Sequence, residues 1–500
     1  MSKDVPKRST GGCLTCKRRR KKCDERRPYC RRCESGDFDC LGYNSPDTCY
    51  TGTSILWPSH TPAIPFGTPS SQLLKPFISL PGPKNEVEQP SPAHALSQQA
   101  NGGIPRGVLL DPTILEDVTS AIVAQYVRFS RDILFRASLI SIEKGILQRM
   151  NNSNITRWSM YLGARVVADL LSGINVQKYL GWIFRFCQQI TETSTSNELG
   201  PSLEARLSGF YDLVYLSSII SGTANSYSLF QRCTPMFLQL ATLSPEIWVH
   251  NSSISVPETF RSSKYEVTQF IVHDTITALA LGISPQLQYD TTSIWVDRAP
   301  GHYMEWIHGF PVGILILLAE INSWRTLRMM GVLTPNQNDY HNIENRLNRW
   351  NPIVDHTDEP TNDIARLAVQ EAWRQAALIY LYLAMSEVNS ADPRAERAVQ
   401  QVVQLGNTIP EGSPLALYLL APSLIAGVAA RQDKHRAALR NRVANENPRK
   451  MNLLVLPVRG TDFLPVLDHL WHGVGSGGNP VTWDDYVRSR CSVLPLRHES

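Results

Sequence analysis

From Asp111 onward, apolar positions recur with a helical period, and strict alternation is scarce. Trp158, Leu162, Val166 and Leu170 are spaced to lie on or near one helical face, with Thr156 in a capping position and Gly173 as a stop. Residues 361–388 open with Asn362 and Asp363 in capping positions and set Ile364, Leu367 and Ala368 on one face. From Ala376 to Met385 the same stretch is apolar all round, the pattern of a helix buried on every side. Leu453–Val458 is among the few short strand candidates. The pattern predicts a large, mainly α domain over residues 111–500.

Two apolar runs invite a membrane reading. Phe310–Ala319 is far shorter than the roughly 20 residues that a spanning helix needs. Ser413–Ala430 is uncharged, but it carries Pro414 and Pro422 and is still short. Both are expected in the core, and no membrane partner is expected.

Residues 44–110 follow no period. They hold Pro46, Pro58, Pro62, Pro65, Pro69, Pro76, Pro81, Pro83, Pro90, Pro92 and Pro105 among many Ser, Gly and Gln. Such a stretch cannot bury enough apolar surface to offset the entropy of ordering, and it reads as a disordered linker. No apolar heptad follows Cys40, so no dimerising coiled coil is predicted there.

Composition then separates the N-terminal region from the rest. The chain has 500 residues, 42% of them hydrophobic and 19% charged, which excludes wholesale disorder. Its net charge of +4 is unevenly spread: residues 1–43 hold 13 Lys/Arg against 6 Asp/Glu, a net +7, leaving −3 for the remainder. A basic head on a mildly acidic body points to a polyanion partner for the head. Met1–Arg8 carries no apolar stretch of a secretory signal.

Six of the ten cysteines lie in that head, in the order Cys13-x2-Cys16-x6-Cys23-x6-Cys30-x2-Cys33-x6-Cys40. The second three repeat the first with a constant offset of 17 positions. A C-x2-C pair turns two sulfurs toward one ion, and zinc takes four ligands in a tetrahedron. One ion leaves two of these cysteines idle. Two zinc ions need eight ligand positions from six sulfurs, so two thiolates bridge, and the repeat makes Cys13 and Cys30 the natural pair. Three disulfides would require an oxidising compartment that nothing else in the chain suggests. Cys49 is not needed as a ligand, and Cys187, Cys233 and Cys491 are expected to be small buried hydrophobes.

The halves differ between their cysteines. Every residue from Lys17 through Arg18, Arg19, Arg20 and Lys21 to Lys22 is basic, whereas Glu34–Asp39 is net −3. The first half is therefore the one expected to meet a phosphate backbone, with some cations on phosphates and some on base edges.

Residues 13–40 resemble the zinc binuclear cluster DNA-binding domain of fungal transcription factors. The likeness rests on the two C-x2-C pairs, the basic run ending Lys22-Cys23-Asp24, and Pro28 between the halves. The resemblance implies that Cys13 and Cys30 bridge two zinc ions held by Cys13, Cys16, Cys23, Cys30, Cys33 and Cys40. It also implies that the first helix enters the major groove of double-stranded DNA over a CGG-like triplet. By position, Arg19 and Arg20 are the base readers, and Lys17, Arg18, Lys21 and Lys22 the phosphate contacts.

The body resembles the fungal-specific transcription factor domain, through Ala278–Gly282, Glu305–Gly309 and Pro422–Gly427. That implies an α-helical regulatory region open to a small-molecule effector. The whole then reads as a nuclear, sequence-specific transcription factor of RNA polymerase II genes, not an enzyme, with a homodimer left open.

The alternative is a metabolite-binding or enzymatic body tethered to DNA by the zinc head. Its candidate groups are few. His302 and His308 lack the spacing of a helical zinc pair, and His273-Asp274 has no nucleophile beside it. The glycine-rich run His472–Gly478 lacks the Lys-Ser/Thr of a phosphate loop and is expected as a flexible loop before a last helix near Trp483.

Overall fold

The computed structural model describes residues 11–13, 16, 21–26 and 30–35 of the N-terminal region, and residues 112–496 apart from 136–141, 193–199, 250–252, 263, 298–300, 333–336, 354–359, 387, 411 and 445–455. The expected linker over 44–110 lies outside the described residues, as do Lys17, Arg18, Arg19, Arg20, Cys40 and Cys49. Contacts divide the chain into two compact units, Met1–Asp117 and Val118–Ser500. In the first, the basic head contains one short described helix, α1 (Arg31–Ser35).

The large unit is mainly α, as its periodicity predicts. From Val118 onward α2 (Pro112–Ile133), with α3 (Ile142–Asn152), α4 (Asn154–Leu171), α5 (Leu180–Glu192), α6 (Gly200–Ser221) and α7 (Thr223–Thr242), forms its first part. α8 (Val256–Arg261), α9 (Tyr265–Leu281), α10 (Tyr303–His308), α11 (Val312–Met329), α12 (Gln337–Arg349) and α13 (Pro360–Met385) follow. α14 (Pro393–Thr408), α15 (Leu420–Ala429), α16 (Asp433–Ala444), α17 (Gly460–His472) and α18 (Trp483–Val493) complete it. No helix among the described residues is long and apolar enough to cross a membrane.

α13 is the central element. From Ala376 to Met385 every residue is at most 5% exposed. The helix packs against α11, α12, α14, α15 and α18, which accounts for its all-round apolar character. Its first turn departs from the sequence reading, because Ile364 is 58% exposed while Ala365, Ala368, Val369 and Ala372 are buried. The buried stripe starts one residue later, and one residue on a helix is about 100° of rotation.

The cap of α4 lies three residues before the expected one. The Ser153 hydroxyl accepts the Ile155 N–H at 3.1 Å and so takes the cap. The Thr156 hydroxyl instead donates to the carbonyls of Arg149 and Ser153, at 2.6 and 2.9 Å. Gly173, at φ +69°, closes the helix as expected.

The expected strand at Leu453–Val458 is absent from its described part, where Leu456–Val458 is bend and coil. A small sheet lies elsewhere: β1 (Trp248–Val249) pairs antiparallel with β2 (Ser253–Ser255), and β2 pairs parallel with β3 (Tyr289–Asp290). These strands are two or three residues long, too short to leave an alternating signature. Both long apolar runs are core. Phe310–Ala319 leads into and forms the first turns of α11, and Ser413–Ala430 folds as a capped 3₁₀ turn leading into α15. The glycine-rich run is a loop between α17 and α18, as its composition suggests.

Candidate metal centre and nucleic-acid interface

Cys13, Cys16, Cys23, Cys30 and Cys33 are buried and none is in a disulfide. The sulfurs of Cys13 and Cys30 are 3.6 Å apart, those of Cys16 and Cys30 3.6 Å, Cys13 and Cys33 3.7 Å, and Cys16 and Cys33 3.8 Å. A tetrahedron with zinc–sulfur bonds of about 2.3 Å has edges near 3.8 Å, so the spacing suits a shared metal and is far too long for a covalent bond. The ligating atoms of Cys13, Cys16, Cys23 and Cys30 all lie within 4.8 Å of one another. Three of them come from the first half of the repeat and Cys30 from the second.

Backbone amides point at these sulfurs. Cys13 N donates to Cys23 Sγ at 3.3 Å, Cys16 N to Cys13 Sγ at 3.3 Å, and Cys33 N to Cys30 Sγ at 3.3 Å. Burial pushes the thiols of Cys16 and Cys30 above their usual range. A divalent cation reverses that preference, since a coordinating thiol is deprotonated outright. Soft, buried, convergent sulfurs with amides directed at them fit zinc.

The loop between the halves supplies a feature that sequence reading missed. Asp24 Oδ2 accepts the N–H of Arg31 at 3.0 Å, and Oδ1 accepts that of Arg32 at 3.1 Å. One carboxylate thus caps the first turn of α1 from seven residues upstream. Ordinary caps act over two or three residues, so no local spacing announces this one. Next to it Glu25 adopts φ +59°, the only positive φ recorded at a non-glycine residue among the described ones. Its carboxylate oxygen lies 2.9 Å from where a Cβ on Gly11 would stand, so the absence of a side chain there lets the chain pass. Lys21, Lys22, Arg31 and Arg32 are exposed and line one groove with Cys23, Asp24 and Ser35.

The candidate groups of the body do other work. Asp274 is fully buried, accepting from the Gln286 N–H at 2.8 Å and the Tyr289 hydroxyl at 2.6 Å; burial nevertheless pushes its carboxyl up to about 7. His273 stacks between Tyr211 and Phe230, and burial pulls its imidazole down to about 3. His308 Nε2 meets Gln269 Oε1 at 3.1 Å. His302 caps α10, its Nδ1 accepting the Met304 N–H while Glu305 reaches back to its own N–H.

In the glycine-rich loop, the carbonyls of Gly475 and Gly478 accept from Arg436 and Arg431 at 2.8 and 2.9 Å. A phosphate cradle presents N–H groups instead. Cys187 and Cys233 are buried as expected, but Cys491 is exposed, because it faces away from the core on the last helix.

The family description "Fungal specific transcription factor domain" matches residues 190–494, and "Fungal Zn(2)-Cys(6) binuclear cluster domain" matches residues 11–49. The chain is 59% identical over 39 residues, 8% of its length, to the aspercryptin biosynthesis cluster-specific transcription regulator of Emericella nidulans. It is 54% identical over 39 residues, also 8% of its length, to white-opaque regulator 2 of Candida albicans. Over 61 residues, 12% of its length, it is 36% identical to arginine metabolism regulation protein II of Saccharomyces cerevisiae. These matches span only 6%, 9% and 6% of the relatives' own lengths. No solved structure matches the chain. With over half its length matched by one domain and its N-terminal sulfurs converging as the other requires, the chain belongs to the fungal Zn(2)-Cys(6) transcription regulators, carrying a zinc cluster and a fungal specific transcription factor domain.

Proposed function

We propose that the chain is a nuclear, sequence-specific regulator of RNA polymerase II genes whose cluster binds two zinc ions and reads CGG-like triplets. The observation that carries this reading is the four-sulfur set of Cys13, Cys16, Cys23 and Cys30, which borrows Cys30 from the second half. A first-half site that needs a second-half sulfur is what bridging demands. The second site would use Cys13, Cys30, Cys33 and Cys40. When bound, the metal supplies positive charge that offsets the thiolates and cross-links two halves too small to hold a core.

On that frame the run from Lys17 to Lys22 is the recognition surface. Arg19 and Arg20 are the base readers, able to bond guanine O6 and N7 together. Lys17, Arg18, Lys21 and Lys22 hold phosphates, fixing register without reading sequence. Residues 1–43 form the DNA-binding unit, 44–110 a Pro/Ser-rich linker, and 111–500 the regulatory unit. The likeness to regulators named for a biosynthesis cluster and for arginine metabolism supports a role in transcription and leaves the target genes open. A second copy of the chain and a small-molecule effector are the partners that the family reading adds. The body is not an enzyme in this account: His273, Asp274, His302 and His308 are each engaged in packing, capping or loop anchoring.

Selection of preferred sites from random duplexes by the full-length, zinc-loaded chain tests the reading. Recovery of CGG-like triplets supports it, and their spacing separates monomer from dimer binding. Recovery of no common sequence contradicts it.

A further inference from the structure

The acidic Glu34–Asp39 stretch suggests that the second half of the cluster acts mainly as scaffold, with Arg31 and Arg32 as its cations. The groove over the cluster gives those two arginines a definite place. It has a volume of about 520 Å³ and is walled by Lys21 and Lys22 from the first half and by Arg31 and Arg32 from the second. The two arginines lie between Cys30 and Cys33, so their backbone is fixed at both ends by sulfurs of the metal frame. Asp24 fixes it a third time by binding both of their N–H groups. This contact also occupies the first two backbone donors of α1, so an anion in the groove must be met by side chains. Asp24, the one carboxylate among the described residues lining the groove, is thereby engaged with the backbone. Guanidinium groups suit that task, because their planar fork binds phosphate oxygens in pairs.

We propose that Arg31 and Arg32 bind the phosphodiester backbone of duplex DNA together with Lys21 and Lys22, so that the phosphate seat is composite and spans both halves. Asp24 is a positioning residue in this seat. The proposal rests on the DNA-binding reading above and adds to it a contact from the half that carries no basic run.

The test is the salt dependence of binding by the full-length, zinc-loaded chain to a CGG-containing duplex and to a scrambled one. Each phosphate contact contributes about 0.9 to the slope of log affinity against log salt, so Arg31→Gln with Arg32→Gln should lower the slope by about 1.8. Both duplexes should weaken by the same factor, leaving their ratio unchanged, and Arg31→Lys with Arg32→Lys should restore most of the slope. Zinc content by atomic absorption shows that the frame is intact. If the double variant loses zinc, Arg31→Gln and Arg32→Gln measured singly should each lower the slope by about 0.9. A zinc-replete variant with the wild-type slope overturns the composite seat alone. A wild-type chain whose binding is insensitive to salt overturns the DNA-binding reading, and this proposal with it.

Discussion

The sulfur of Cys13 lies 3.6 Å from that of Cys30, although 17 positions separate the two residues. Two equivalent positions of a repeated motif meet at the centre of the cluster, and their backbones are held by different loops. This contact makes the two halves one unit.

Six sulfurs with Cys13 and Cys30 shared should give two zinc ions per chain by atomic absorption. Cys30→Ser removes a ligand common to both sites. Because structural zinc supplies about 10–16 kcal/mol of folding free energy in finger peptides, that variant should lose both ions and the dispersed NMR signals of the head. One zinc in the wild-type chain, or a well-dispersed head in the variant, would remove the bridging arrangement.

Asp24 should matter to the same unit without touching metal. Asp24→Ala frees two amides at the start of α1, so chelators should strip zinc faster from this variant than from wild type. Asp24→Asn keeps a side-chain oxygen as acceptor and should fall between them. Equal stripping rates for all three proteins would show that the cap is idle.

In the body, buried Asp274 ties the loop at Gln286 and the strand residue Tyr289 to α9. Its carboxyl sits at about 7, above the ordinary value of 3.8, because burial penalises the charged form more than its hydrogen bonds favour it. The folded state therefore prefers the protonated acid. The stability that this preference contributes is present below about pH 4 and is lost as the pH rises through 7. Denaturant titrations of wild type and Asp274→Asn should show the stability gap between them narrowing over that window. A gap that widens with pH would contradict the assignment.

Gly309 has φ +69°, and a Cβ there would come within 2.4 Å of the Tyr418 ring. Gly412 has φ +75° with nothing within 4 Å. Gly412→Ala should cost about 1–2 kcal/mol from the left-handed backbone alone. Gly309→Ala should cost clearly more, and thermal unfolding of the two variants reads the difference. Equal losses would mean that the ring moves aside freely.

Much of this molecule was legible in its residues, for reasons that differ by region. Metal ligation is local and demands fixed spacing, so the cysteine array announced the convergence of its five described sulfurs. The all-round apolar run Ala376–Met385 announced a central helix, because a helix surrounded by neighbours has no polar face to show. Helix starts were less readable: Ser153 and Thr156 are both competent caps, but the Thr156 hydroxyl donates to the Arg149 and Ser153 carbonyls and Ser153 takes the cap. Asp24 stayed hidden because its partners lie seven and eight residues away across a loop, where no periodicity operates. The three short strands were equally silent. Cys491 looked like core by residue type, but a cysteine carries no signal for which side of an amphipathic helix it occupies.

The central claim is that metal held by shared sulfurs shapes a cationic surface for the double helix. The most direct measurement is the affinity of the full-length chain for a CGG-containing duplex and a scrambled one, before and after complete removal of zinc. The account predicts preference for the CGG duplex with zinc present, and loss of that preference together with most of the affinity once zinc is gone. A metal-free chain that keeps both its affinity and its preference would contradict it.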